Sequence, residues 1–229
     1  MRKILTLTLL FLTLLSCSEK DIFIGENIIP EPKKLIIKDN ILHQIKDVTI
    51  LNSSDNLIYP HNKDEYYLSS KNGNVVIEGN AIWAKQTLKQ IADENNRIPD
   101  VEIHDWSAYP FRGFMHDTGR NFQTIDMLKE TIDLMSLYKI NYFHWHLTDN
   151  PAWRIECKVY PQLNDPQYQR LGRDCGKFYT YDEIRELIAY AKERGITIMP
   201  EIDMPGHSAY FRNAFGFSMD SEEGMKVLE

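Results

Sequence analysis

Two hydrophobic patterns follow one another along the chain. Residues 35–108 mix strand-like and helix-like runs, whereas from residue 109 onwards apolar strand-like runs alternate regularly with amphipathic helix-like runs. Regular alternation of this kind is typical of βαβ units that build a parallel sheet. The pattern therefore predicts a small α+β domain at residues 35–108 and an α/β domain at residues 109–229.

In the α+β domain, strands are predicted at residues 33–38 and 75–78. Asn80 is predicted to cap a helix, because Asn is a preferred N-cap residue and the apolar positions after it fall on one helix face. Those positions are Ala81, Ala84, Leu88 and Ile91.

In the α/β domain, strands are predicted at residues 111–117, 140–147 and 196–202. Thr124 is predicted to cap the helix after the first strand, and Thr180 opens the helix before the third strand through a capping box with Glu183. Polar residues close each strand: His116 and Asp117, then Thr148, Asp149 and Asn150, then Glu201, Asp203 and His207. Because the carboxyl ends of parallel strands meet at one edge, we expect these side chains to converge.

The N-terminal segment is typical of a secretory signal peptide. Arg2 and Lys3 precede an apolar run that is too short to span a bilayer. The run ends at Ser16-Cys17, which favours a lipoprotein-type signal peptide at residues 1–16, lipidation of Cys17 and a tether at residues 17–34. A plain signal peptide with an incidental cysteine is the alternative. We therefore expect a lipid-anchored protein of the bacterial cell envelope, in the outer membrane or periplasm, whose only membrane contact is the anchor.

Charge and cysteine content restrict the partners further. The 26 basic and 33 acidic residues give a net charge of −7, without the Lys/Arg-rich surface that a nucleic-acid partner requires. Cys157 and Cys175 form a disulfide or stay as two thiols, and their spacing does not indicate a zinc site. No cofactor is expected.

Three motifs in the α/β domain carry a resemblance to a known family. They are RGFMHDTGR at residues 112–120, HWHLTDNPAWRIE at residues 144–156 and PEIDMPGH at residues 200–207. In this order and spacing they resemble the front part of the catalytic domain of glycoside hydrolase family 20, the β-N-acetylhexosaminidases. Asn150, Pro151 and Ala152 depart from the family pattern. The resemblance implies an α/β fold, namely the N-terminal portion of a (β/α)8 TIM barrel preceded by a small α+β domain.

The resemblance also implies a glycan substrate with a terminal N-acetylglucosamine or N-acetylgalactosamine, and the residues leave the preference between them open. Arg112 is predicted to bind sugar hydroxyls, since a guanidinium offers five N–H donors in a rigid fork. The alternative is a structural ion pair with Asp117. Arg120 is an equally good partner for Asp117, and no ligand role is assigned to it.

Carboxylates and a histidine complete the predicted pocket. Asp149 and Glu201 are predicted substrate-binding residues. Glu201 and Asp203 point to the same side of the strand, and the Pro205-Gly206 turn can fold His207 back over them. By likeness to the family, Asp203 and His207 are predicted to form a supporting pair beside the catalytic acid.

A metal-dependent barrel hydrolase is the rival interpretation. His144 and His146 lie on one strand face, and a His-x-His pair at a strand end holds metal in such enzymes. Here the two imidazoles flank Trp145 in mid-strand, which favours hydrogen-bonded packing in the barrel core, and we predict no metal site.

The resemblance implies substrate-assisted retaining hydrolysis, in which the acetamido oxygen of the substrate is the nucleophile and an adjacent Asp-Glu pair after the fourth strand assists. No Asp-Glu pair in this chain follows an apolar strand. A complete barrel has eight strands and about 250 residues. We therefore expect a chain truncated before its acid–base residues, inactive alone and of low stability, with a non-catalytic glycan-binding remnant as a further alternative.

Overall fold

The computed structural model describes residues 28–172 and 174–229, which form two larger sheets, two short two-stranded pairs and five α-helices. The predicted signal peptide at residues 1–16 and the lipidation site Cys17 lie outside the described residues. Within the described ranges, no helix is both long and apolar enough to cross a membrane.

The first sheet has five strands in the order β1-β7-β4-β5-β3, and β3 pairs with β5 in parallel while the other pairings are antiparallel. A short pair, β2 and β6, lies beside it. The elements are β1 (Lys34–Ile37), β2 (His43–Gln44), β3 (Asp47–Leu51), β4 (Tyr66–Lys71), β5 (Asn74–Gly79), α1 (Ala81–Ile91), β6 (Arg97–Ile98) and β7 (Val101–Asp105).

Helix α1 covers one face of this sheet. Asn80 accepts a hydrogen bond from the Trp83 backbone N–H, as predicted for the N-cap. Buried side chains of α1 pack on Leu68 and Ile103 of the sheet. The predicted strands at residues 33–38 and 75–78 are confirmed, whereas β3, β4 and β7 were not predicted.

The second sheet is parallel, with the order β12-β9-β8. From residue 113 onwards the elements are β8 (Gly113–Asp117), α2 (Ile125–Leu137), β9 (Tyr142–His146), β10 (Thr148–Asp149), β11 (Ala152–Trp153), α3 (Tyr181–Glu193), β12 (Thr197–Glu201), α4 (Ala209–Phe215) and α5 (Glu222–Leu228). The predicted Thr124 cap and the Thr180–Glu183 capping box are both present.

The two faces of the parallel sheet differ. Phe143 and Trp145 point to one face and are buried against α2 and α3 through side chains such as Leu128 and Leu187. The opposite face carries the exposed Met115 and Met199, and at the carboxyl end of the strands it carries a row of polar side chains. The chain thus has an α/β fold with polar side chains gathered at the carboxyl ends of its parallel strands.

A third hydrophobic cluster joins helix α4 to the loop that follows β11. Buried Leu163, Tyr210 and Phe211 form its core, and the partly buried Trp153 and Cys157 pack against it. Cys157 and Cys175 are both free thiols, so the disulfide alternative is not realised.

Helix α1 joins the two halves of the molecule. The Gln86 side-chain amide donates to the Ser136 hydroxyl of α2 at 2.9 Å. Gly195, which follows α3, has φ +73° and approaches the Trp83 ring so closely that a Cβ there would lie 3.0 Å from a ring carbon. Glycine is therefore required at this position for both conformation and contact.

Candidate active site

Three polar residues lie side by side at the carboxyl ends of the parallel strands. Asp117 of β8, His146 of β9 and Glu201 of β12 are in register with one another. The loop after β12 brings Asp203 and His207 to the same end. The backbone N–H of Asp203 donates to the Thr148 hydroxyl of β10 at 3.0 Å, which fixes this loop to the strand end.

Arg120 reaches this end through a tight turn after β8. The Thr118 and Gly119 backbone N–H groups donate to the His146 carbonyl at 3.0 and 3.1 Å. A Cβ on Gly119 would lie 2.9 Å from the Thr148 carbonyl carbon, so only glycine allows this turn to rest on β10. We call the surface formed by Asp117, Arg120, Asp149, Asp203 and His207 the mouth.

Asp149 is the centre of the mouth. Its side chain is 2% exposed, and its Oδ2 lies 2.8 Å from Arg120 Nη2, 3.0 Å from His146 Nε2 and 3.4 Å from His207 Nδ1. Its Oδ1 accepts a hydrogen bond from the Asn150 backbone N–H at 2.7 Å. These contacts hold the buried Asp149 side chain in one orientation.

Arg120 and His207 are the exposed members, with side chains 44% and 49% exposed. The Arg120 guanidinium also donates to Asp117 Oδ2 at 2.6 Å. Burial alone would raise the pKa of Asp117, but hydrogen bonds from Arg120 and the charge of His146 hold that pKa below its ordinary value. His207 has φ 49°, a left-handed conformation uncommon outside glycine, which turns its ring towards Asp149.

His146 lies beneath this surface with its side chain 5% exposed. Burial alone would lower the pKa of its imidazole, but the contacts with Glu201 and Asp149 and the charge of Asp117 raise that pKa above the ordinary value. Glu201 Oε2 lies 2.9 Å from His146 Nδ1 and 2.6 Å from His144 Nε2. The Nδ1···Oε2 approach lacks the alignment of a hydrogen bond, so we treat it as a charge contact.

The structure brings Asp149, Glu201, Asp203 and His207 together, as the sequence analysis expected. It pairs His207 with Asp149, however, rather than with Asp203. Asp203 lies within 4.8 Å of both of them. Because Asp149 is enclosed, Arg120 and His207 form the exposed surface above it.

The prediction that Arg112 lies in the sugar site is corrected by the structure. Arg112 precedes the first residue of β8, so it lies at the amino end of the sheet, opposite the mouth. Its guanidinium donates to Asp64 Oδ2 at 2.7 Å and to the Lys139 carbonyl at 2.7 Å. The structural ion pair considered for Arg112 therefore exists, with Asp64 in place of Asp117.

No ligand role is predicted for Arg120 from the sequence. Its position three residues after the last strand residue, Asp117, is the signal that places it at the carboxyl end. His116 was expected there too, but it points to the opposite sheet face beside Phe143 because neighbouring strand residues alternate. Burial lowers the pKa of the His116 imidazole.

Several of these groups are spaced so that they could hold a cation. Asp117, His146 and Asp149 offer ligand atoms within 4.8 Å of one another, and so do Asp149, Asp203 and His207. In both groups the Asp149 oxygen already contacts the Arg120 guanidinium. In these two groups the Arg120 side chain supplies the positive charge that a metal ion would otherwise supply. A third group, His146, Glu201 and Asp203, has the same spacing and does not include Asp149.

The catalytic-domain profile of glycosyl hydrolase family 20 matches residues 109–223, which is half of the chain. The chain belongs to this family. It is 45% identical over 142 residues to a β-hexosaminidase of Vibrio furnissii, covering 56% of this chain and 23% of that protein. It is 35% identical over 202 residues to a β-hexosaminidase of Akkermansia muciniphila, covering 82% of this chain and 40% of that protein.

Solved structures of the family superpose on most of the chain, including both larger sheets. A β-N-acetylhexosaminidase from Bacteroides fragilis gives a TM-score of 0.75 at 28% identity, covering 89% of this chain and 53% of that one. An exo-β-N-acetylglucosaminidase from Vibrio harveyi in complex with N-acetylglucosamine gives 0.71 at 30% identity, covering 84% and 38%. The chain thus spans about a quarter to a half of the length of these relatives.

Proposed function

We propose that this chain contributes the substrate-binding part of a glycoside hydrolase that removes terminal non-reducing β-linked N-acetylhexosamine from glycans. The observation that carries the proposal is the mouth, where a buried carboxylate orients two exposed nitrogen donors, Arg120 and His207, at the carboxyl end of a parallel sheet. Active sites of barrel enzymes lie at this end. The relatives named β-hexosaminidase give the substrate class.

The proposed chemistry is substrate-assisted hydrolysis with retention, in which the acetamido oxygen of the sugar attacks its own anomeric carbon. Arg120 offers a fork of N–H donors to sugar hydroxyls. His207 Nδ1 lies 3.4 Å from both Asp149 Oδ2 and Arg120 Nη2, which leaves Nε2 to contact the substrate or a neighbouring acid.

The acid–base step is not assigned to residues of this chain. Among the described residues, Asp182 and Glu183 lie in the first turn of α3, and Glu222 and Glu223 lie in the first turn of α5. Neither pair follows a strand of the parallel sheet. The proposed contribution of this chain is substrate binding and support of the acid.

In the same proposal, β8, β9 and β12 are the first three strands of a (β/α)8 barrel, and the first sheet with α1 is the α+β domain before it. The exposed sheet face with Met115 and Met199 supports this assignment. Parallel sheets are stable when both faces are covered, and in a barrel further strands enclose such a face.

A chimeric enzyme tests the proposal. Residues 109–223 replace the corresponding segment of the Bacteroides fragilis enzyme, and hydrolysis of 4-nitrophenyl N-acetyl-β-glucosaminide and of the matching β-glucoside is measured. We expect hydrolysis of the first substrate only, and loss of that activity in His207→Ala but not in Arg185→Gln, whose exposed side chain lies on α3. A folded chimera that lacks activity, or whose activity does not depend on His207, contradicts the proposal.

We also propose that the protein is a lipid-anchored envelope protein, with a signal peptide at residues 1–16 and lipidation at Cys17. The apolar run before Ser16-Cys17 supports this assignment. Expression in a bacterium fed radiolabelled palmitate tests it: label is expected in the wild type and not in Cys17→Ser. Equal labelling of both would contradict the assignment.

A further inference from the structure

His146 has contacts that the proposed mechanism does not use. It is enclosed at the carboxyl end of β9, and carboxylates approach it from three other strands and from the loop after β12. Asp149 is 3.0 Å and Asp117 is 4.0 Å from Nε2, and Glu201 is 2.9 Å from Nδ1. Asp203 also lies near the ring. His144 reaches this group only through Glu201.

Both ring nitrogens therefore face carboxylate oxygens. A carboxylate accepts protons in hydrogen bonds and does not donate them, so an imidazole in this position is satisfied best when both nitrogens carry protons. The positive charge also offsets carboxylates that would otherwise repel one another.

The side chains that contact Asp149 differ in how deeply they are buried. His146 is held in mid-sheet between β8 and β12, with its side chain 5% exposed, whereas the Arg120 and His207 side chains are about half exposed. The buried donor fixes the carboxylate, and the carboxylate then fixes the two exposed donors. Without His146, Asp149 would keep on its inner side only the hydrogen bond from the Asn150 backbone.

We propose that His146 is a positioning residue that, as a buried cation, clamps Asp149 and thereby sets the geometry of Arg120 and His207 at the mouth. The inference rests on the proposed function, because it assumes that the two exposed donors meet a sugar.

The test combines binding with the protonation state of His146 in the 229-residue chain. N-acetylglucosamine is titrated into wild type, His146→Leu and His144→Leu, and binding is followed by NMR. His144 is the matched control, because it lies on the same strand face and contacts Glu201 but not Asp149. We expect about tenfold or weaker affinity in His146→Leu and less than about twofold change in His144→Leu.

Nitrogen-15 NMR of the imidazoles supplies the second readout, which does not depend on either leucine variant folding. In wild type, His146 is expected to titrate above the value of free histidine, about 6.5, with both nitrogens protonated below its midpoint, and the midpoint is expected to fall in Asp149→Asn. A midpoint at or below that of free histidine overturns the inference. Equal affinity of a folded His146→Leu and wild type also overturns it, whereas absence of binding in wild type argues against the proposed function instead.

Discussion

Asp149 Oδ2 accepts a hydrogen bond from His146 and lies in charge contact with Arg120 and His207, while the Asp149 side chain is almost fully buried. Removing its charge leaves the His146 imidazole and the Arg120 guanidinium without their shared partner, and breaking a buried charge contact in this way is strongly destabilising. We predict that Asp149→Asn lowers the free energy of unfolding by about 3 kcal/mol. Asp182→Asn, at a side chain 95% exposed, should change it by about 0.5 kcal/mol or less. Urea denaturation measures both, and equal losses would refute a central role for Asp149.

The raised pKa of His146 gives stability a pH dependence. A histidine whose pKa is higher in the folded than in the unfolded state stabilises the fold fully below its unfolded pKa, and this contribution disappears as the pH rises through the folded pKa. We predict that His146→Leu costs more stability at pH 5.5 than at pH 8.5. Because His116, whose pKa is lowered, titrates in both proteins, its effect cancels in the difference. A cost that stays constant with pH would contradict the charged state.

At the scale of elements, the turn between β8 and α2 depends on Gly119. A Cβ at this position would meet the Thr148 backbone at 2.9 Å, whereas a Cβ on Gly206, in the other loop of the mouth, would meet nothing within 4 Å. We predict that Gly119→Ala destabilises by about 1–3 kcal/mol and weakens sugar binding by displacing Arg120. Gly206→Ala should change stability by less than about 1 kcal/mol. Thermal unfolding of both variants checks this, and a neutral Gly119→Ala would show that the turn is not constrained by β10.

Helices α1, α2 and α3 could be predicted from the sequence because their signals are local, whereas α4 was not predicted. The Asn80, Thr124 and Thr180 caps lie within a few residues of the apolar stripes that they begin. Strand β4 was missed because Ser69 and Ser70 interrupt its apolar pattern, so that pairing across the sheet defines it. Strand β7 alternates apolar and polar residues over Val101–Asp105, and this signal could have predicted it.

The residues of the mouth were predicted better than their contacts. The convergence of Asp149, Glu201, Asp203 and His207 follows from strand order and parallel topology, which are visible in the sequence. The choice between Asp149 and Asp203 as the partner of His207 depends on the path of the loop after β12, which no local pattern specifies. Arg112 was misassigned because its guanidinium chemistry was weighed without its position, just before Gly113 at the amino end of β8.

At the scale of the whole molecule, the two ends of the parallel sheet make different kinds of contact. At the amino end, Arg112 contacts Asp64 and lies near the Trp83 ring, and so ties β8 to the first sheet and α1. At the carboxyl end, Arg120 is half exposed among the carboxylates of the mouth. In barrel folds the amino end serves stability and the carboxyl end carries activity.

This division makes the two arginines a matched pair for testing whether the mouth is the sugar site. The most direct measurement is the affinity of N-acetylglucosamine for Arg120→Gln and Arg112→Gln, titrated by NMR at a temperature where circular dichroism shows both variants folded. We predict that Arg120→Gln weakens binding by about tenfold or more, since a charged hydrogen bond to the sugar is lost. Arg112→Gln is expected to lower the unfolding midpoint in urea and to leave affinity within about twofold of wild type. Loss of affinity in Arg112→Gln together with unchanged affinity in Arg120→Gln would contradict the assignment of the sugar site to the mouth.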